Sequence, residues 1–452
     1  MPWRRLHLVR ALSAAGLASS LMFLGAAAAA GRALDDEPST LPESATTTQT
    51  VDVLKAVEAG DLKVVARGQG QEKVRLSIEN VSGKRLNVII PPGLVASSGL
   101  GQRGGMGGGG FQSMGLGSIT NRPGSFGRFE AAAAPGFRSM PVSAAEDSAL
   151  TVPEGETVDV TVPGVCLNYG VAAPSPRDVF TLMDVDRYTA DLRVRKALRS
   201  LAALGTSQGV AQAAMWRICD DVSFQEMASR DGKVLNPHEL ALAARFVEAV
   251  DQAPGDLVDP AALAEGRVFV NVRAEGPSAV AEADRLAAKL DGLRLLGLPI
   301  TLVEGDETPT AAAPALFVKL VLSESRDGEA VGRMQVGSTP TGDLWRPLGK
   351  AVFRDHSSLA VLDAPTLAAL MEHELATSFV TVRVARRSTT STTLRIDNRL
   401  PFTIAGLSLR AGASPGSPLV PFDAVGLGPA RSLTLPIQAP HAQIMGVELN
   451  GL

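Results

Sequence analysis

Gly412-Ala413-Ser414-Pro415-Gly416 fits the GxSxG pattern of a nucleophilic serine, and Asp423 and His441 follow in the order Ser, Asp, His of a hydrolase triad. The chemistry fails one residue on. In a nucleophile elbow the residue after the serine gives its backbone N–H to the oxyanion, and Pro415 has none. No helix signal follows Ser414 either, so the segment reads as a turn between strands. The histidines fall short in a different way. His238-Glu239 and His373-Glu374 each begin like HExxH, but neither has the second histidine four residues on that zinc geometry requires. His238 reads as a helix-start residue and His373 as a helix-surface residue. No Gly-Lys-Ser or Gly-Lys-Thr triplet of a P-loop occurs. These residues predict no catalytic set, no metal site and no cofactor.

Two further patterns look chemical. Gly99, Gly101 and Gly104 match GxGxxG, but a dinucleotide site needs a helix to start there and more glycine follows. Arg103-Gly104-Gly105 has the form of an RNA-binding Gly/Arg unit, and a single one in an acidic chain predicts no nucleic-acid partner. Cys166 and Cys219 are the only cysteines. In an exported chain such a pair is expected to form a disulfide, which over 53 residues would contribute roughly 4 kcal/mol if unstrained. The alternative is two separately buried thiols.

Export is expected from the first residues. Arg4, Arg5 and Arg10 precede an apolar stretch from Ala11 to Ala30, with Leu17, Leu21, Met22, Phe23 and Leu24 at its centre and small residues at its exit. That is the pattern of a secretory signal over residues 1–33. The alternative is an uncleaved anchor, the one case in which a membrane partner is expected. Net charge is −4; removing the signal takes Lys+Arg from 43 to 39 against 47 acids, giving −8. An acidic exported chain is poorly suited to nucleic acid or anionic lipid. At 45% hydrophobic and 20% charged, it can bury a sizeable core.

The elements that must position these residues follow in order. Residues 34–50 are a polar linker, and a short helix capped by Thr50 and stopped by Gly60 comes next. Val74, Leu76 and Ile78, then Val158, Val160 and Val162, alternate with polar residues as half-buried strands do. They predict an immunoglobulin-like β-sandwich over 51–175. A Gly-rich insertion at 97–136 interrupts it and is expected to stay mobile along 99–128. Residues 176–254 switch to helical periodicity and predict a small helical domain. Its signals are a cap at Thr206 or Ser207, a capping box at Ser223–Glu226, and an Asn236-Pro237-His238-Glu239 start. Residues 264–387 mix both periods and predict an α+β domain. Residues 388–452 return to strands.

The two ends share short matches. Leu76–Asn80 (LSIEN) parallels Leu394–Asn398 (LRIDN), and Gly164–Asn168 (GVCLN) parallels Gly446–Asn450 (GVELN). Asn80 lies 84 positions before Gly164 and Asn398 lies 48 before Gly446; the difference, 36, is close to the length of the Gly-rich insertion. A C-terminal β module related to the first is therefore expected, in a multidomain α+β protein.

Within the α+β region, FVNV, AEADRLAAKL and LGLPITLV over residues 268–303 resemble the sporulation-related repeat, whose family binds peptidoglycan glycan strands. The chain as a whole resembles exported multidomain bacterial proteins, a likeness that implies a compartment but no activity. The function expected is a non-catalytic interaction or structural protein of the cell envelope, periplasmic or extracellular, with a protein or cell-wall partner. Peptidoglycan binding through the α+β domain is the alternative, and a hydrolase with an unrecognised site is the third reading.

Overall fold

A change in hydrophobic period marks each change of architecture along the chain. The computed structural model describes residues 48–91, 93–98, 112–117, 150–229, 235–265, 267–305, 307–311, 313–387, 392–412, 419–422, 426–437 and 441–452, with 229, 408–412, 419–422, 435–437 and 441–442 by backbone alone. The described residues belong to one compact unit. They form a β-rich α+β structure.

The first part contains β1 (Gln49–Asp52), α1 (Val53–Ala59), β2 (Leu62–Gly68), β3 (Lys73–Asn80), β4 (Leu86–Ile89), β5 (Leu94–Ser97), β6 (Met114–Leu116), β7 (Leu150–Val152), β8 (Thr157–Cys166) and β9 (Val179–Asp184). Strands β2-β3-β8-β6-β5-β9 close into a barrel, and β1-β4-β7 make a separate small sheet. Two strands turn the barrel's corners. Residues 157–163 of β8 pair with β3 and 164–166 with β6, while β9 passes from β2 to β5.

Three expectations change here. Residues 179–184, expected in the helical segment, complete the barrel. The first helix is capped by Asp52, whose carboxylate accepts from Leu54 N–H (2.9 Å) and Lys55 N–H (3.1 Å), not by Thr50, which already lies in β1. The Gly-rich insertion is not uniformly mobile. Residues 112–117 are built into the wall, with Met114 and Leu116 fully buried. Gly115 explains the glycine there, because a Cβ would lie 2.4 Å from Leu198 Cδ2 on a helix packed behind it. Ser97 closes β5 and Ser98 follows it; the other residues of the insertion lie outside the described ones.

Helices α2 (Val185–Tyr188), α3 (Leu192–Leu204), α4 (Gln208–Asp220), α5 (Phe224–Ser229), α6 (Pro237–Gln252) and α7 (Pro260–Ala264) follow. Ser207 caps α4, and α6 starts at Asn236 as expected, with Asn236 and Glu239 forming a reciprocal capping box there. Next come β10 (Val268–Ala274), α8 (Pro277–Ala287), β11 (Arg294–Leu295), β12 (Leu298–Leu302), β13 (Ala315–Glu324), β14 (Ala330–Thr339), β15 (Arg346–Asp355) and α9 (Ala364–Phe379). Their sheet runs β11-β12-β10-β13-β14-β15, with β10 parallel to both neighbours. The chain ends with β16 (Val380–Arg387), β17 (Thr392–Asn398), β18 (Ile404–Gly412), β19 (Leu419–Phe422), β20 (Ser432–Ile437) and β21 (His441–Leu449). β16 leaves the α+β region, where it was expected, and joins the sheet β16-β17-β20; β19-β18-β21 form another. One core runs from the helices through the six-stranded sheet into these last strands, and the barrel keeps a core of its own.

The matched asparagines sit in matching surroundings. Asn80 and Asn398 are buried at the ends of β3 and β17. Each side-chain amide donates to the carbonyl four residues on, Lys84 (2.8 Å) or Phe402 (2.9 Å), and to the carbonyl of Val152 (3.0 Å) or Leu427 (3.1 Å). Each side-chain oxygen accepts the N–H two residues on, from Ser82 (3.0 Å) or Leu400 (2.9 Å). Their backbone N–H groups donate to Glu156 O and Arg431 O, and the N–H groups of Glu156 and Arg431 donate to Pro153 O and Gly428 O, closing turns whose third residue, Gly155 or Ala430, has positive φ (67° and 54°).

Candidate functional site

Helix α4 carries Gln208, Gln212 and Trp216 at i, i+4 and i+8, a single stripe by the 3.6-residue period. Its other faces bury Val210, Ala211, Ala214 and Ile218 among the helices. The stripe meets the end of β8, where the strand has turned away from β3 and its outward backbone groups need partners. Gln212 supplies both. Its Nε2 donates to Cys166 O and its Oε1 accepts from Cys166 N, each at 2.9 Å. Gln208 Nε2 donates to Gly164 O at 2.7 Å.

These bonds perform the role expected of a disulfide, and no disulfide forms. Cys166 and Cys219 are not bonded to each other. Strand alternation gives the reason. Val165 faces the helical core, so Cys166 faces the barrel interior, with its Sγ 3.6 Å from both Gln71 O and Met114 Sδ. Cys219 packs against the helical core instead. Burial, with the Glu72 charge second, pushes the Cys166 thiol up to about 12, so it is a poor nucleophile near neutral pH.

The N-terminus of α6 closes the other side. Glu239, 1% exposed, accepts from Asn236 N–H at 3.0 Å and takes both arms of Arg431, Nε at 2.8 Å and Nη2 at 2.6 Å. This two-point bond holds Arg431 above the usual guanidinium range, burial opposes it, and the charges of Glu239 and Glu72 add to it. Asn236 Nδ2 donates to Pro429 O at 2.9 Å, so α6 grips the turn before β20 at two places. Gly209 leaves room for the carboxylate, since a Cβ there would lie 2.4 Å from Glu239 Oε1.

Between the turn joining β2 to β3, helices α4 and α6, and the segment 426–432 lies a cavity of about 230 Å³, lined by Glu72, Gln208, Trp216, Glu239, Gly428 and Arg431 among others. Two buried polar atoms of its lining residues, Gln208 Oε1 and Trp216 Nε1, have no hydrogen-bond partner among the described residues. Trp216 meets Tyr169 edge to face, with centroids 5.2 Å apart.

Ser414 and Asp423 lie outside the described residues, as does the His441 side chain, together with Gly99, Gly101, Arg103 and Gly104. His238 stands at the start of α6, its Nδ1 buried without a partner among the described residues; burial and then Arg346 pull its pKa down. His373 lies on α9, where its carbonyl accepts from the Thr377 hydroxyl at 2.9 Å. The same residues contain no group of three or more His, Cys, Asp or Glu arranged to hold a metal. None of their helices is long and apolar enough to cross a membrane. Sequence reading weighed Glu239 in an incomplete HExxH and in a helix start, and passed over Gln208, Gln212 and Arg431. The available signal was a Gln-x3-Gln-x3-Trp stripe on a helix already buried on its other faces. A scan against protein-family models and a search among curated proteins find no match to this chain.

Proposed function

We propose that the protein is an exported, non-catalytic interaction protein of the cell envelope, built from two related β modules that grip the helices between them. What carries this reading is the engagement of the cavity's polar groups. The Ser207 hydroxyl caps its own helix at Val210 N–H (3.4 Å), Gln212 is fully bonded to β8, and the Glu239 carboxylate is neutralised by Arg431. Groups that hydrolysis would need reactive are thus held in structural bonds. The relatedness of the modules is supported by the shared bonding around Asn80 and Asn398. Val165 with Leu167, and Val447 with Leu449, also enter the same core from the two ends of the chain.

Two measurements on the full-length chain test the proposal. Cell fractionation should recover it outside the cytoplasm, and fluorophosphonate and vinyl-sulfone probes should leave the folded protein unlabelled. Stoichiometric labelling of one serine or cysteine, abolished by unfolding, overturns the non-catalytic reading.

A second reading, peptidoglycan binding, is favoured by β10-α8-β12, a parallel βαβ unit formed by the residues that resemble the sporulation-related repeat. Co-sedimentation of the full chain with purified sacculi tests it, and protein remaining in the supernatant at saturating sacculi ends it.

A further inference from the structure

We propose that the outer edge of β15 takes up an acidic polypeptide segment as a further strand, its carboxylates meeting Lys350 and Arg354. This rests on the reading of the chain as an interaction protein and names the chemistry of a partner.

Helices α8 and α9 pack on one face of the six-stranded sheet, against Val270, Leu320, Met334 and Phe353. Strand alternation puts the intervening residues on the other face. At one end of that face Val303, Ala311 and Trp345 cover Phe269 and Phe317. Beyond them Arg273, Arg333, Gln335, Lys350 and Arg354 are exposed, and Val352 is 49% exposed. The register sets Lys319, Gln335 and Lys350 in one row and Arg273, Val321, Arg333 and Val352 in the next. Arg354 follows in a third row, beside Val331. None of the positions that β10, β13, β14 and β15 give to this face is acidic, although acids outnumber basic residues in the chain by 47 to 43. Arg333 pairs with Glu275 just past β10, while Lys319, Lys350 and Arg354 have no carboxylate partner among the described residues.

β15 is also the last strand of its sheet. Residues 350–354 bond to β14 on one side, and no described residue bonds to their main chain on the other. Charged side chains commonly guard such an edge. Guarding needs charge on the edge strand alone, whereas here the cations run inward to β14, β13 and β10, so the whole face attracts anions. The bare main chain points to a polypeptide, because a strand can bond to it along its length. A nucleic acid would need rings to stack on, and Phe269 and Phe317 are buried. A second copy paired antiparallel about Val352 would set Lys350 opposite Arg354, like charge on like, which disfavours it.

The spacing defines the segment. Lys350 and Arg354 stand about 14 Å apart along the strand, with Val352 midway. An added strand matches them with the pattern acid-x-apolar-x-acid, which reads the same in both directions. Two adjacent acids would turn one of them to the opposite face.

The test follows the fluorescence anisotropy of labelled peptides mixed with the full-length protein. They are Ser-Thr-Glu-Thr-Val-Thr-Glu-Thr-Ser, its neutral form with Gln for Glu, and a scramble with the two Glu adjacent. Saturable binding of the first is expected, about fivefold or more tighter than either control and weaker at high salt. Lys350→Gln combined with Arg354→Gln should weaken it about five- to tenfold at an unchanged melting temperature. Lys63→Gln, at an exposed lysine of the barrel, should leave it unchanged. Hydrogen exchange on the unmutated protein gives a readout free of any variant: amides within residues 346–355 should slow when the peptide saturates. No binding, binding that ignores the spacing of the acids, or protection elsewhere overturns the proposal. So does polyphosphate or a single-stranded oligonucleotide binding as tightly as the peptide at matched charge, and so does a dimer joined through β15. Silence of every peptide sinks this edge alone and leaves the exported, non-catalytic reading to its own two measurements. Probe labelling of a serine or cysteine would sink that reading without touching the edge.

Discussion

At the scale of single residues, the buried asparagines carry more of the fold than their two short sequence matches suggest. Asn398 Nδ2 donates to three carbonyls, those of Phe402, Leu427 and Gly428, and Asn80 Nδ2 to two. Aspartate has nearly the same shape but no donor, so it would set a carboxylate against carbonyl oxygens in a buried site. Asn398→Asp should therefore cost about 3 kcal/mol or more, and Asn80→Asp somewhat less, in urea denaturation at neutral pH. A change below about 1 kcal/mol at either position would show that the two are not equivalent anchors. Cys166 makes a second prediction from its surroundings. Its thiol, raised to about 12 by burial, should alkylate at pH 8 only as fast as the barrel opens. Reductant should leave the melting temperature where it is, and a drop on reduction would restore the disulfide.

At the scale of elements, the question is what joins the layers, and two helices answer it differently. On α4, Gln212→Leu removes the partners of both Cys166 backbone groups at once, for an expected loss of about 2–4 kcal/mol by thermal or urea unfolding. On α9, Glu372 lies half-buried and accepts from Leu296 N–H at 2.7 Å. Burial raises its pKa, the hydrogen bond opposes this, and Glu448 on β21 adds to it. The folded protein thus holds this proton more tightly than the unfolded chain does. The group therefore opposes folding at neutral pH, and its contribution improves as pH falls towards its raised value. Glu372→Gln should raise the melting temperature near pH 8 and flatten its pH dependence from pH 7 to 4; an unchanged slope would exclude Glu372 as its source. Both joints show where sequence is legible. Caps and alternation read correctly from local pattern at Ser207, Asn236 and β3, and miss by two residues at Thr50, where Asp52 is the cap. Partnership is not local. β9 looks like the approach to a helix because its burial is irregular, and β6 is hidden by the glycine that its contact with Leu198 demands. Cys166 looked like a bridge because compartment says nothing about which side of a strand a residue faces.

At the scale of the whole molecule, the Glu239–Arg431 bond ties helix α6 to the C-terminal strands across 192 positions of sequence, and the cavity is built around it. Asn450 adds a second tie, its amide donating to the carbonyls of Leu204 (2.8 Å) and Gly205 (2.5 Å) at the end of α3. Arg267 adds a third, buried and donating to Pro314 O, Leu263 O and Gly451 O. These ties predict that the last strands unfold with the helices and not as a separate unit. The ion pair gives the sharpest test. Removing one partner leaves a buried charge or an unmatched guanidinium, so Arg431→Met alone should lose about 3 kcal/mol or more. Glu239→Gln should lose less, because the amide oxygen can still accept one bond from Arg431 and one from Asn236 N–H. The double variant should recover much of the Arg431→Met loss, since a neutral amide beside methionine leaves no charge stranded. A double-mutant cycle by urea denaturation, read by both circular dichroism and tryptophan fluorescence, measures the coupling. Coupling near zero, or two separated transitions in the unmutated protein, would mean that the C-terminal strands fold on their own and that the cavity is a seam between independent parts.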